Sequence, residues 1–237
     1  MLCNAWIYIG DDAPPGSNYN SPNSTYQNLI KWNGYQWADQ LNIAFFTTVQ
    51  TGSNTIPSGN GSSWTIDVIP STHPGGLTGQ TYFQNVMRDA RAQNSALPIL
   101  VTSGWHENDI FTRVLGNGSQ SQKQANANAF ASNLLAFLQH YNLNGFDVDW
   151  EYHMVTAMDS TDFRTLFTAI RNTFNTDTSQ HLYLTLSPAE IGNIDAGTIN
   201  SCFDWVNVQY GSTGKPNDWI NAGVDPIRLA YGATFET

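Results

Sequence analysis

The sequence predicts an α/β fold: a parallel sheet with helices packed outside it, arranged as a (β/α)8 barrel. Two observations carry this reading. Short runs rich in aliphatic, β-branched and aromatic residues recur along the chain, as strands buried on both faces require. Segments with apolar residues at helical spacing separate them, and strand-helix alternation at such intervals means parallel pairing. No linker-like stretch interrupts the pattern, and 237 residues are enough to bury a full core.

In order, "NAWIYIG" (4–10) reads as the first strand and "LNIAFFTTV" (41–49) as the second. The stretch 51–75, rich in Ser, Gly, Asn and Pro around "SWTIDVI", is either a long loop or a small hairpin excursion serving the top face. "TYFQNVMRDARAQ" places Tyr82, Phe83, Val86, Met87 and Ala90 on one helical stripe. "LPILVTSGW" (97–105) is the third strand, with Pro98 near its start where proline is tolerated. "ANAFASNLLAFLQHY" repeats apolar positions at Phe130, Leu134, Leu135 and Leu138. The fourth strand is "LNGFDVDWEY" (143–152). A third helix opens on the capping residues Asp159, Ser160 and Thr161 and aligns Phe163, Leu166, Phe167, Ile170 and Phe174. "LYLTLSP" (182–188), "DWVNVQYG" (204–211) and "IRLAYGA" (227–233) complete seven strands.

The fourth strand carries the chemistry. Asp147, Asp149 and Glu151 alternate with Phe146, Val148 and Trp150, so the acids share one face and the apolar residues the other. On an isolated antiparallel strand this would be a solvated acidic face. In a parallel α/β sheet, one side must meet helices, and the apolar set is fit for that. The acids then point into the barrel interior, where burial is expensive unless they are paired, hydrogen-bonded or protonated. Crowding predicts that at least one of them has a raised pKa, the condition for a proton donor near neutrality. Glu151 is the outermost acid, at the carboxyl-end mouth where barrel catalytic groups sit.

Composition narrows the partners. Charged residues are only 12% of the chain, while Trp, Tyr and Phe number 8, 10 and 12. Such an amide-rich, aromatic-rich surface suits sugars, whose faces stack on rings and whose hydroxyls bond amides. A net charge of −10 argues against nucleic acid and anionic membranes as partners. No run approaches the roughly 18 apolar residues of a membrane span, and the amino-terminal residues show no secretory signal. Cys3 and Cys202 make no disulfide framework and read as buried thiols. The sequons at Asn23, Asn60 and Asn117 would suit a secreted eukaryotic protein, but chance supplies several in a chain this rich in Asn, Ser and Thr, so they decide nothing.

"NGFDVDWE" resembles the Asp-x-x-Asp-x-Asp-x-Glu signature of glycoside hydrolase family 18, the chitinases and endo-β-N-acetylglucosaminidases. Asp147, Asp149 and Glu151 match it in place, while Asn144 stands at its first, most peripheral aspartate. "LNIAFF" is similar to the family's second strand. "VTSGW" is similar to the third, keeping Gly104 and Trp105 but not the serine or first glycine. "VNVQYG" is similar to the sixth, with Gln209 next to Tyr210 where many relatives space the pair by two. The resemblance implies a substrate-assisted retaining hydrolysis of β-1,4-linked N-acetylglucosamine. Glu151 would be general acid and then base, Asp149 would orient the 2-acetamido group, and Asp147 would share a proton with Asp149. It further implies substrate contacts from Tyr210, Gln209, Trp105 and Gly104, with no cofactor and no metal, while Tyr152 is either a further substrate contact or a barrel-rim aromatic. The partner would be a polysaccharide or oligosaccharide containing N-acetylglucosamine, met by a monomer that is secreted or extracellular.

Trp6, Trp37 and Trp64 are assigned to core or general aromatic surface. Asp11 and Asp12 either line the cleft or form a polar turn before Pro14 and Pro15, and the five scattered histidines read as surface or structural. Residues 1–237 read as a single family-18-like catalytic barrel domain that lacks its eighth strand and is C-terminally incomplete. Two function classes stay open. One is an endo-acting hydrolase of chitin or of N-glycans, and the other a non-catalytic sugar-binding lectin on the same scaffold. Retention of Glu151 favours the hydrolase.

Overall fold

Among the described residues seven parallel strands form the sheet in chain order, and one further strand, third in sequence, lies antiparallel on the second. The computed structural model describes residues 3–9, 18–51, 64–71, 77–104, 107, 109–151, 154, 157–209 and 215–231. The strands are β1 (Asn4–Tyr8), β2 (Gln40–Gln50), β3 (Trp64–Val68), β4 (Ile99–Ser103), β5 (Gly145–Trp150), β6 (Tyr183–Pro188), β7 (Trp205–Val208) and β8 (Leu229–Tyr231). The helices between them are α1 (Thr25–Lys31), α2 (Gly79–Gln93), α3 (Thr112–Leu115), α4 (Gln120–His140), α5 (Ser160–Phe174), α6 (Ala196–Cys202) and α7 (Pro216–Asn221). The result is a curled, mostly parallel half-barrel with helices outside, the partial (β/α)8 barrel that the alternation predicts. Among the described residues β1 and β8 are the ends of this order, with no pairing between them.

The excursion after β2 is a hairpin: β3 folds back so that Gln50 pairs with Trp64 and Phe46 with Val68. Arg113 ties it to the barrel rim. Its guanidinium donates to the Thr47 and Thr48 hydroxyls, pairs with Glu107 and stacks over the Trp64 ring at 5.5 Å.

The outer face of the sheet is dry and aromatic. Trp150 meets Phe163 of α5 edge-on at 5.2 Å, and Phe46 meets Phe83 of α2 at 5.1 Å. Each such side chain contributes roughly 1.5–3 kcal/mol by burial, which is why the helical stripes lie where their periodicity places them. α5 starts where the sequence indicates, with the Asp159 carboxylate accepting from the amides of Thr161 and Asp162. α4 begins earlier than its apolar stripe, because Ser119 caps Gln122 and the first turns are polar and exposed. Gly145 is required by packing, since a Cβ there would collide with the Tyr183 backbone of β6.

Cys202 is buried as expected, but Cys3 is exposed, and both thiols are free. Cys3 sits just ahead of β1, at the sheet's rim rather than within it. Trp37 is 79% exposed. Among the described residues no helix is long and apolar enough to cross a membrane.

At the floor end of the sheet a largely buried ion pair ties α5 to the strands. Arg171 of α5 donates to the Asp204 carboxylate at 2.6 Å and to the carbonyls of Cys202 and Leu182, while the Leu184 amide also donates to Asp204. Arg171→Ala leaves one carboxylate and two carbonyls without this donor. It is expected to lower the unfolding free energy by about 3 kcal/mol, read as a lower urea midpoint at unchanged m value.

Candidate active site

Strand register brings the acids of β5 together with the inner faces of four other strands. Asp147 lies beside Thr102 of β4 and Thr185 of β6, and Asp149 lies beside Ser187 of β6. Trp6 of β1 and Asn207 of β7 point into the same interior.

Asp147 is fully buried (0% exposed), and its donors among the described residues are all neutral. Oδ1 accepts from the Thr185 hydroxyl and from Ser187 at 2.9 Å. Oδ2 accepts from Thr102 at 3.2 Å, from Ser187 at 3.0 Å and from the Trp6 indole N–H at 3.4 Å. Burial pushes this carboxyl above the ordinary aspartate range, opposed by the donors from Thr185, Ser187, Trp6 and Thr102. One raised carboxyl was expected. It falls on the innermost acid, and its cause is loss of water rather than crowding of like charges.

Asp149, 6% exposed, accepts from the Gln209 side-chain amide at 2.7 Å. The same Nε2 lies 3.4 Å from Glu151 Oε1 and 3.0 Å from the Ser187 carbonyl oxygen. Gln209 thus spans the two upper carboxylates, a position that suits orientation as much as the substrate contact the sequence suggested. Glu151 follows the last residue of β5 and is partly exposed. Exposure therefore rises along the strand from Asp147 to Asp149 to Glu151. Such a gradient leaves the outermost acid free to reach a bound molecule while the inner ones set its surroundings.

Gly104 is buried just past β4, where its amide donates to the Phe46 carbonyl at 2.6 Å. Its place in the structure is a backbone tie between β2 and β4. Trp105, Tyr152, Tyr210, Asp11 and Asp12 lie outside the described residues. Trp6 corrects the sequence reading: assigned to core or surface, it is a partner of Asp147. Thr102, Thr185, Ser187 and Asn207 were likewise not anticipated. The signal for them was present as isolated polar residues at alternate positions in otherwise apolar strands.

Asn144 explains its own departure from the acidic signature. Its side chain accepts from the Ile99 amide at 2.9 Å and donates to Gln180 at 2.9 Å, clamping the start of β4. That is the opposite end of β5 from the mouth, so an amide there leaves the acid set intact. Among the described residues no cluster of His, Cys, Asp and Glu could hold a metal ion.

Fold and site together define an α/β half-barrel with graded carboxylates at the carboxyl end of a central strand, an arrangement suited to acid-base chemistry. The profile of "Glycosyl hydrolases family 18" matches residues 17–222, and the chain belongs to that family. Curated protein sequences gave no significant match. Among solved structures, the chain is similar to the class V chitinase of Nicotiana tobaccum, at 14% identity and TM-score 0.61, covering 97% of this chain and 65% of that one. It is similar to human YKL-39, described as a pseudo-chitinase with retained chitooligosaccharide binding, at 14% identity and TM-score 0.64, covering 96% and 65%. It is also similar to a chitinase-like agglutinin of Robinia pseudoacacia, at 14% identity and TM-score 0.60, covering 98% and 69%. The chain thus spans about two thirds of the length of these proteins.

The raised Asp147 carboxyl has a consequence for stability. A carboxyl with a folded-state pKa above its unfolded value binds its proton more tightly when native. The native state then loses stability as pH rises from about 4, the unfolded value, through the folded one. Asp147→Asn removes that loss. The amide also turns an N–H towards donors such as Trp6, a cost that does not vary with pH, so calorimetry is expected to show the melting difference, variant minus wild type, moving in the variant's favour as pH rises from about 4 to about 8. A difference that moves towards the wild type over that range would mean that the donors outweigh burial.

Proposed function

We propose that this chain is an endo-acting glycoside hydrolase cleaving β-1,4-linked N-acetylglucosamine in chitin or chito-oligosaccharides. The observation that carries the reading is the exposure gradient on β5, from buried Asp147 to partly exposed Glu151, with Gln209 bridging the upper two acids. Glu151 protonates the glycosidic oxygen. The substrate's own 2-acetamido carbonyl attacks the anomeric carbon, forming an oxazolinium ion and retaining configuration overall. Asp149 orients the acetamido group and balances its developing positive charge, with Asp147 as the proton-sharing partner beneath. Glu151 then takes a proton from water, which opens the oxazolinium ring. The enzyme acts as a secreted or extracellular monomer and uses no cofactor.

Two variants share the scaffold. N-glycans also present N-acetylglucosamine at the cleaved bond, which makes an endo-β-N-acetylglucosaminidase the close alternative. A sugar-binding lectin is the other, supported by similarity to a pseudo-chitinase and an agglutinin. Retention of Glu151 beside Gln209 supports turnover.

Product release from chitopentaose and from a high-mannose glycopeptide separates these readings. The wild type is expected to cleave chitopentaose, and Glu151→Gln to lose about 10³-fold in kcat while still binding the oligosaccharide. Cleavage of the glycopeptide alone would move the assignment to N-glycans. Binding by both proteins without cleavage by either would establish the lectin.

A further inference from the structure

A directed chain of hydrogen bonds runs from the β1 edge of the sheet to Asp147. The Asn4 amide donates from Nδ2 to Asn207 Oδ1 at 3.1 Å. Asn207 donates from Nδ2 to the Ser187 hydroxyl oxygen at 3.2 Å. Ser187 in turn donates to both oxygens of Asp147, at 2.9 and 3.0 Å. Asn207 and Ser187 are both buried, at 5% and 4% exposure. A hydroxyl has one proton, so its direction matters. Because Asn207 presents an N–H to Ser187, the serine oxygen is used as acceptor on that side and its proton is left for Asp147. With the Asn207 amide reversed, Ser187 would give its proton to the amide oxygen and Asp147 would be one donor short.

We infer that Asn207 is a positioning residue, which aims the Ser187 proton at Asp147 and so sets the charge of the carboxylate beneath the reacting pair. The inference rests on the hydrolase reading for its role in turnover, but not for its physical content. Trp6, which can only donate, enforces the same polarity from β1. Among the described residues, the titratable groups sharing the face of Asp147 are Asp149 from its own strand, Glu151 just past that strand, Tyr8 from β1 and Tyr183 from β6, none of them cationic. Neutral donors are thus what favour the charged form, and a chain of them polarises cooperatively.

The test is a titration that needs no turnover. Protein labelled with 13C at the aspartate carboxyls is followed by NMR against pH, and the Asp147 signal is assigned by its loss in Asp147→Asn. Ser187→Ala is expected to raise the Asp147 midpoint by about one pH unit, the worth of one hydrogen bond to a charged group. Asn207→Asp places an acceptor where the donor was and is expected to raise it by a similar amount. In the Ser187→Ala background, the same change is expected to add less than half of that. Asn207→Leu, which carries no charge, is expected to move the midpoint in the same direction by less, and not at all when Ser187 is absent. It serves as the neutral check should Asn207→Asp fail to fold. An unmoved midpoint in the Asn207 variants, or equal moves with and without Ser187, would overturn the inference. Failure of the hydrolase reading shows itself separately, as intact chitopentaose with the wild type.

Discussion

Placing an aspartate where no water reaches it constrains four strands at once. Stripped of hydration, the Asp147 carboxylate needs donors for its two oxygens, and only neighbouring inner faces can supply them. Thr102, Thr185, Ser187 and Trp6 do so from β4, β6 and β1. Each is a departure from the apolar composition expected of a strand buried on both faces. Much of the polarity around β5 on the inner face of this half-barrel therefore traces to one residue, while the outer face stays aromatic and packs on helices. Strand alternation is what lets the two requirements coexist along β5.

The same arrangement divides labour between floor and mouth. At the floor, Arg171 and Asp204 join α5, β6 and the loop before β7, and Asn144 clamps the start of β4. These groups lie away from the mouth and serve packing. Towards the carboxyl ends, buried groups give way to Gln209 and then to Glu151, which is open to a bound molecule. Rigid strands below and an accessible acid above are what preorganised acid-base chemistry needs. A raised carboxyl kept in the interior costs stability near neutrality, the usual exchange between a site and the fold that carries it.

Family membership and similar folds constrain function less than this site does. Chitinase, pseudo-chitinase and agglutinin are all among the structures the chain is similar to. A shared scaffold hosts both turnover and binding, so the discriminating features are the acids and their partners. Here that means Glu151 within reach of Gln209, above an aspartate whose donors run back through Ser187 and Asn207 to Asn4.

By itself the sequence determined the alternation of strands and helices, the two-faced character of β5, the cap of α5 and the identity of the acid set. All of these rest on local periodicity or a contiguous motif, which a linear chain displays directly. It indicated less about what surrounds the acids. Trp6, Thr102, Thr185, Ser187 and Asn207 are scattered over four strands, and nothing in their spacing ties them to residue 147. Parallel register alone makes them neighbours. The same holds for the cause of the raised carboxyl: crowding is legible along one strand, whereas burial depends on every strand and helix that closes around it. The amide at Asn144 likewise became intelligible only when the fold placed it at the far end of β5 from the mouth. Local pattern could be read from the order of residues, and the environment of each charge could not, because it is made by contacts distant in sequence.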